Sequence, residues 1–352
     1  MDMDSVGVET PQEDHVEISR LRERARRSFV SPETARSDRQ AVWRKRFRSD
    51  VRRWIGLYDS VGQRDGFLWQ WCLHGIELTA LPCIIPDWRD SLCDTKLLSV
   101  IICVLFDDIA DCGERAERLS SLLHVCGQGS ISADDPIIED KNLTEHEYLY
   151  RQVVEELWGD YVSRVSQLPH FREYEPLWQF DLGQFFNAMR YGHLANRFPA
   201  LLNSTEHDVY SPHNMLMVSF STLDLMASSP LPEEELGALR EAIWHSQAMG
   251  RVGNILSTWR REIKDRDYTG GIFSRALRAG KVTLDELNTL TGEEIEDRIR
   301  QSGQESVLLE KWERHRKCFL ESAEAVTSVD MQQLLEGHDR FFEMHLQNVG
   351  LI

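Results

Sequence analysis

Long apolar runs are missing from this chain. The longest, Leu97–Phe106, is far short of the 18 or more residues that a membrane span requires, so no transmembrane segment is expected. Cysteine is sparse and unpatterned. The seven in 352 residues are Cys72, Cys83, Cys93, Cys103, Cys112, Cys126 and Cys318, with no C-x-x-C and no Cys/His ligand spacing. This argues against a disulfide framework or a zinc site and reads as the reduced thiols of a cytoplasmic protein. Period-2 runs of β-branched residues and internal repeats are absent, which leaves no basis for a sheet. The first 20 residues are acidic and polar, so no secretory leader is expected in them. Positive charge is short as well: 40 Lys+Arg against 58 Asp+Glu leave a net −18. Proteins that bind nucleic acid generally put cations on phosphates, so that class is disfavoured.

What remains is a chain with 41% hydrophobic and 9% aromatic residues, enough for a real core. Its charge is uneven. Arg20–Arg53 holds 13 Lys/Arg and 4 Asp/Glu, a local +9, so the rest carries −27. Residues 1–40 read as a flexible arm, acidic and then Arg-rich, that can act as an active-site lid. Residues 41–352 read as one α-helical domain. Apolar positions recur with helical period in 41–59, 65–80, 90–110, 145–168, 173–195, 212–228, 233–266, 284–300 and 304–348. Breaks fall at Pro82–Pro86, Gly127–Pro136, Ser228–Pro232 and Tyr268–Gly271, and Thr283 with Glu286 spells a capping box. An all-α bundle follows.

Two motifs carry chemistry. The apolar helix Leu97–Phe106 ends in Asp107-Asp108-Ile-Ala-Asp111. Asp107 and Asp111 stand i,i+4 on one face, and Asp108 stands i,i+3 to Asp111. Like charges so placed repel, and burying them is costly; a cation relieves both effects. Carboxylate oxygens are hard ligands, which favours Mg²⁺. The second motif is Asn254, Thr258 and Glu262, one polar stripe at i, i+4, i+8. An amide oxygen, a hydroxyl and a carboxylate make a hard-oxygen set for one Mg²⁺, with Arg261 beside them for a phosphate oxygen.

The ordered pair, 147 positions apart, resembles the aspartate-rich and NSE metal motifs of class I terpene synthases. The resemblance covers about residues 50–348. Arg340-Phe341 falls where that family usually has an Arg-Tyr pair on the diphosphate; here the tyrosine is replaced by Phe. The diphosphate-sensing Arg of many bacterial members, some 46 residues before Asn254, has no counterpart. That count lands at Asp208, and His213 or Arg190 is left to substitute. Head-to-tail prenyl synthases share the fold but carry two aspartate-rich motifs, and the D-x-D-D acid motif of class II cyclases is absent.

The resemblance therefore implies a Mg²⁺-dependent cyclase that ionises a prenyl diphosphate. Asp107, Asp111, Asn254, Thr258 and Glu262 would hold the metal, three ions by family likeness. Asp107, Asp108, Glu262, Arg261 and Arg340 would act in catalysis, and Arg261, Arg340 and His213 would bind the diphosphate. Phe106, Trp71, Phe185, Phe186, Trp244 and Phe341 are the candidate aromatic faces for a carbocation. The segments Leu105–Asp111, His213–Phe220 and Gly253–Trp259 look most like bacterial diterpene synthases, including the ent-kaurene-synthase-like group. A C20 substrate follows: geranylgeranyl diphosphate, or a copalyl-type diphosphate from a class II cyclase partner. Farnesyl diphosphate, chain elongation and a homodimer stay open.

Overall fold

The computed structural model describes residues 47–111, 116–127 and 143–350. The expected arm at 1–40, Cys112 and residues 128–136 of the Gly127–Pro136 break lie outside the described residues. The described chain is all-α. Its only extended pairing is an isolated bridge between Ile84 and Ser228. In chain order the helices are α1 (Ser49–Tyr58), α2 (Phe67–Leu78), α3 (Pro86–Ala110), α4 (Ala116–Val125), α5 (Glu145–Val165), α6 (Phe171–Arg197), α7 (Ser204–Tyr210), α8 (Met217–Met226), α9 (Leu236–Asp265), α10 (Gly271–Arg278), α11 (Leu284–Thr289), α12 (Gly292–Gln301), α13 (Gln304–Ala323) and α14 (Met331–Gln347).

Two long helices, α3 and α9, organise the bundle. α3 packs on α1, α2, α5 and α6, while α9 packs on α8, α13 and α14. α2 touches both α3 and α14, which closes the ring. α3 starts on Pro86 with Asp87 in its first turn, where a missing N–H costs nothing and a carboxylate meets the positive helix end. Leu97, Leu98, Ile101, Ile102, Leu105 and Phe106 then lie in the core. Each such burial contributes about 1.5–3 kcal/mol. The same helix also carries a buried ion pair. Lys96 Nζ lies 2.5 Å from Asp224 Oδ1 on α8, and Asp224 Oδ2 accepts the Leu81 N–H at 3.0 Å.

Several boundaries differ from the periodic reading, each for a local reason. The pattern over 284–300 splits into α11 and α12 because a second capping box, Thr291 with Glu294, starts a new helix straight after the Thr283–Glu286 box. The pattern over 304–348 splits at 324–330, where Asp330 caps α14 and Glu235 accepts from the Thr327 and Ser328 backbone N–H groups. The helix expected from 212 begins at Met217: Ser211–Met215 is 3-10, and Leu216 adopts a left-handed φ of 58°. α4, α7 and α10 fall outside the periodic segments.

Candidate active site

The C-terminal end of α3 and the middle of α9 face one cavity of about 1190 Å³. From α3 it is lined by Val100, Cys103 and Val104, then by Asp107, Asp108 and Asp111 one turn further on. These positions form a single helical face, so the apolar helix delivers its acids to the rim of an apolar hollow. From α9 come Arg251, Asn254, Thr258, Arg261 and Glu262. Trp71 and Phe341 form part of the wall, with ring centroids 5.3 Å apart, joined by Met217 and Phe220. Phe341 can sit there because Gly75 faces it; a Cβ on Gly75 would come within 2.6 Å of the ring.

The other expected residues lie elsewhere. Phe106, Phe185 and Phe186 pack on one another in the core at centroid distances of 4.9–6.3 Å and do not line the cavity. α6 presents Ala188, Met189 and Gly192 instead. His213 lies against Trp244 at 5.1 Å and Gln247 at 3.3 Å, also off the wall. Burial lowers its pKa. Arg190 meets Asn187 at 3.2 Å, away from the cavity. Arg340 is exposed and does not line the cavity, although its neighbour Phe341 does. Asp208 is held by Arg275 and Lys311, each at 2.6 Å.

Three charged residues at the site had no part in the sequence reading. Arg251 donates from Nη1 to Asn254 Oδ1 and from Nε to Ser211 Oγ, both at 2.6 Å. It extends the Asn254–Thr258–Glu262 stripe by one turn, so the spacing did contain a signal for it. Asp267 is folded back beside Glu262 by a left-handed Arg266 with φ 57°, and its N–H bonds to Glu262 O at 2.9 Å. Arg64, between α1 and α2, reaches all three aspartates. Neither of these two positions follows from any periodicity.

The acids are strained electrostatically. Burial and the nearby Asp267 charge push Glu262 up to about 7, against the pull of the Thr258 hydroxyl, 2.7 Å from Glu262 Oε1. Asp111 is raised by burial and by Asp107 and Asp267, and Asp108 by burial that Arg64 and Tyr58 only partly offset. Burial alone would lower the Arg64 guanidinium, yet the aspartates hold it above its ordinary value.

The donor chemistry fits Mg²⁺. The carboxylates, amide and hydroxyl are hard oxygens, and Glu262 Oε2 is buried with no hydrogen-bond partner among the described residues. Gly270 leaves room for that oxygen, since a Cβ there would sit 2.5 Å from it. Among the described residues no three Asp, Glu, His or Cys side chains are gathered tightly enough to enclose one ion. Mg²⁺ needs no such cage, because it keeps several waters and takes one or two carboxylates plus substrate phosphate. No described helix is long and apolar enough to cross a membrane.

No family model and no curated protein matches the chain. Among solved structures it is similar to abietadiene synthase from Abies grandis, with a TM-score of 0.51 and 11% sequence identity over 85% of this chain. The match spans 36% of the length of that protein. At this identity the likeness concerns the fold: the chain has an all-α, terpene-synthase-like architecture.

Proposed function

We propose that the chain is a Mg²⁺-dependent class I terpene synthase that ionises a prenyl diphosphate and cyclises the carbocation. One observation carries the reading: Asp107 and Asp111 on α3 and Asn254, Thr258 and Glu262 on α9 border the same cavity, whose remaining wall includes aromatic and aliphatic side chains. Bound at these oxygens, Mg²⁺ would supply Lewis-acid stabilisation of the leaving diphosphate. The chain's own part is separate. Arg251 and Arg261 neutralise diphosphate oxygens from α9, where fixed donors lower the barrier to C–O cleavage. Arg340 is exposed and lies off the cavity lining.

Trp71, Phe341 and Phe220 offer π faces to the migrating positive charge, and the apolar wall keeps water from quenching it. A cavity of about 1190 Å³ exceeds the range of roughly 300–1,000 Å³ usual for small-molecule sites. The likeness of Leu105–Asp111, His213–Phe220 and Gly253–Trp259 to bacterial diterpene synthases favours a C20 substrate, geranylgeranyl or a copalyl-type diphosphate, over farnesyl diphosphate. The net −18 does not oppose such a substrate, because the acids that matter would bring in the cations that bind it. Incubation with Mg²⁺ and C10, C15, C20 and copalyl diphosphates, read by gas chromatography and mass spectrometry, tests the proposal. A cyclic hydrocarbon or alcohol supports it; a longer diphosphate indicates chain elongation instead.

A further inference from the structure

The acid end of α3 already holds a cation. Arg64 Nε donates to Asp108 Oδ1 at 2.9 Å, while its Nη2 lies 3.6 Å from Asp111 Oδ2 and 3.9 Å from Asp107 Oδ2. The three contacts are unequal: one is a hydrogen bond and two are loose ion pairs. Asp108 is held a second time by the Tyr58 hydroxyl, which donates to Oδ2 at 2.9 Å. The same hydroxyl oxygen accepts the Arg64 backbone N–H at 3.1 Å.

This arrangement is built into the fold. Tyr58 is fully buried and sits edge-on to Trp69 at 4.7 Å. Gly62 lies flat on the Tyr58 ring, where a Cβ would overlap the ring carbons, and its N–H bonds to Tyr58 O at 2.7 Å. The turn that carries Arg64 is thus clamped at both ends of the tyrosine. Arg64 lines the cavity, with about a quarter of its side chain exposed.

We infer that Arg64 gates the metal site: anchored on Asp108, it screens Asp107 and Asp111 until a divalent cation and an anion arrive together, then releases those two carboxylates and pairs with the anion. This rests on the metal and diphosphate reading above. A cation at Asp107 and Asp111 would meet the guanidinium at close range, and the two repel. An incoming diphosphate resolves the conflict, because guanidinium pairs strongly with phosphate oxygens. Metal binding and anion binding therefore become coupled through one side chain. Asp108 is then a positioning residue for Arg64 and not a metal ligand.

The test uses the full chain stripped of metal, titrated calorimetrically with Mg²⁺ alone and with Mg²⁺ plus inorganic pyrophosphate. Wild type binds Mg²⁺ weakly alone and much more tightly with pyrophosphate. Arg64→Gln binds Mg²⁺ alone at least ~10-fold more tightly, and the gain from pyrophosphate shrinks by a similar factor, within the usual span of such couplings. Arg64→Lys keeps the charge and stays near wild type. Equal Mg²⁺ affinity in wild type and Arg64→Gln overturns the gate while leaving the proposed function standing. No Mg²⁺ binding to wild type even with pyrophosphate overturns the metal reading itself. Should Arg64→Gln fail to fold, Tyr58→Phe, which removes only the clamping hydroxyl, is read the same way: tighter binding of Mg²⁺ alone supports the gate and unchanged binding refutes it.

Discussion

Replacing Glu262 by Gln stabilises the metal-free protein, and does so only above the ordinary carboxylate range. In the folded chain the Glu262 carboxyl is pushed up to about 7, against 4.5 in an unperturbed glutamate. That gap corresponds to roughly 3 kcal/mol at about 1.4 kcal/mol per pH unit. The folded state holds the proton more tightly than the unfolded state. Stability therefore falls as pH rises from 4.5 to about 7, and the full cost persists above that. Glutamine removes the charge, keeps an oxygen for the Thr258 hydroxyl, and relieves Asp267 and Asp111 of one like charge. Urea denaturation in EDTA at pH 5 and pH 8 reads the effect. The variant gains up to ~3 kcal/mol over wild type at pH 8 and little at pH 5. Parallel pH dependence in the two proteins would refute the claim that burial holds this carboxyl against ionisation.

The remaining predictions concern the site and its support. Asp107→Asn lowers turnover of the active diphosphate at least ~100-fold, the scale of losing one key electrostatic group, as followed by product yield. Arg251→Gln weakens binding of Mg²⁺ with pyrophosphate by ~10-fold or more, as expected for a charge-assisted hydrogen bond, whereas Arg340→Ala leaves it unchanged in the same titration. Lys96→Met strands Asp224 in the core and costs about 3–5 kcal/mol in denaturant unfolding. Gly75→Val drives a side chain into the Phe341 ring, costs about 1–3 kcal/mol and shifts turnover from C20 toward shorter prenyl diphosphates.

The helical class and both acid motifs were legible in the sequence because they rest on local spacing. Asp107 with Asp111, and Asn254 with Thr258 and Glu262, each fall on one helical face, and those faces border the same cavity. Arg251 was legible in principle, one turn before Asn254 on the same stripe. Arg64, Tyr58 and Asp267 were not: they reach the site from turns whose path is set by a buried tyrosine, a glycine against its ring and a left-handed arginine. The aromatic residues divided for a similar reason. Phe106, Phe185, Phe186 and Phe341 are equally apolar in sequence, but only the roll of each helix decides which reaches the cavity and which the core. Arg340 was expected from the Arg-Tyr pair of the family that the chain resembles, and the orientation of α14 that leaves it exposed is not written in that spacing.

The central claim is that the facing acids of α3 and α9 make a metal-dependent diphosphate-ionising site. The most direct measurement follows inorganic pyrophosphate release and organic-extractable product together, from geranylgeranyl and copalyl diphosphates, with Mg²⁺ and with EDTA. With Mg²⁺, pyrophosphate and a cyclic C20 product are released in matched amounts, and with EDTA neither appears. Product formation that persists in EDTA, or no release from either C20 diphosphate or from the C10 and C15 substrates, would contradict that claim.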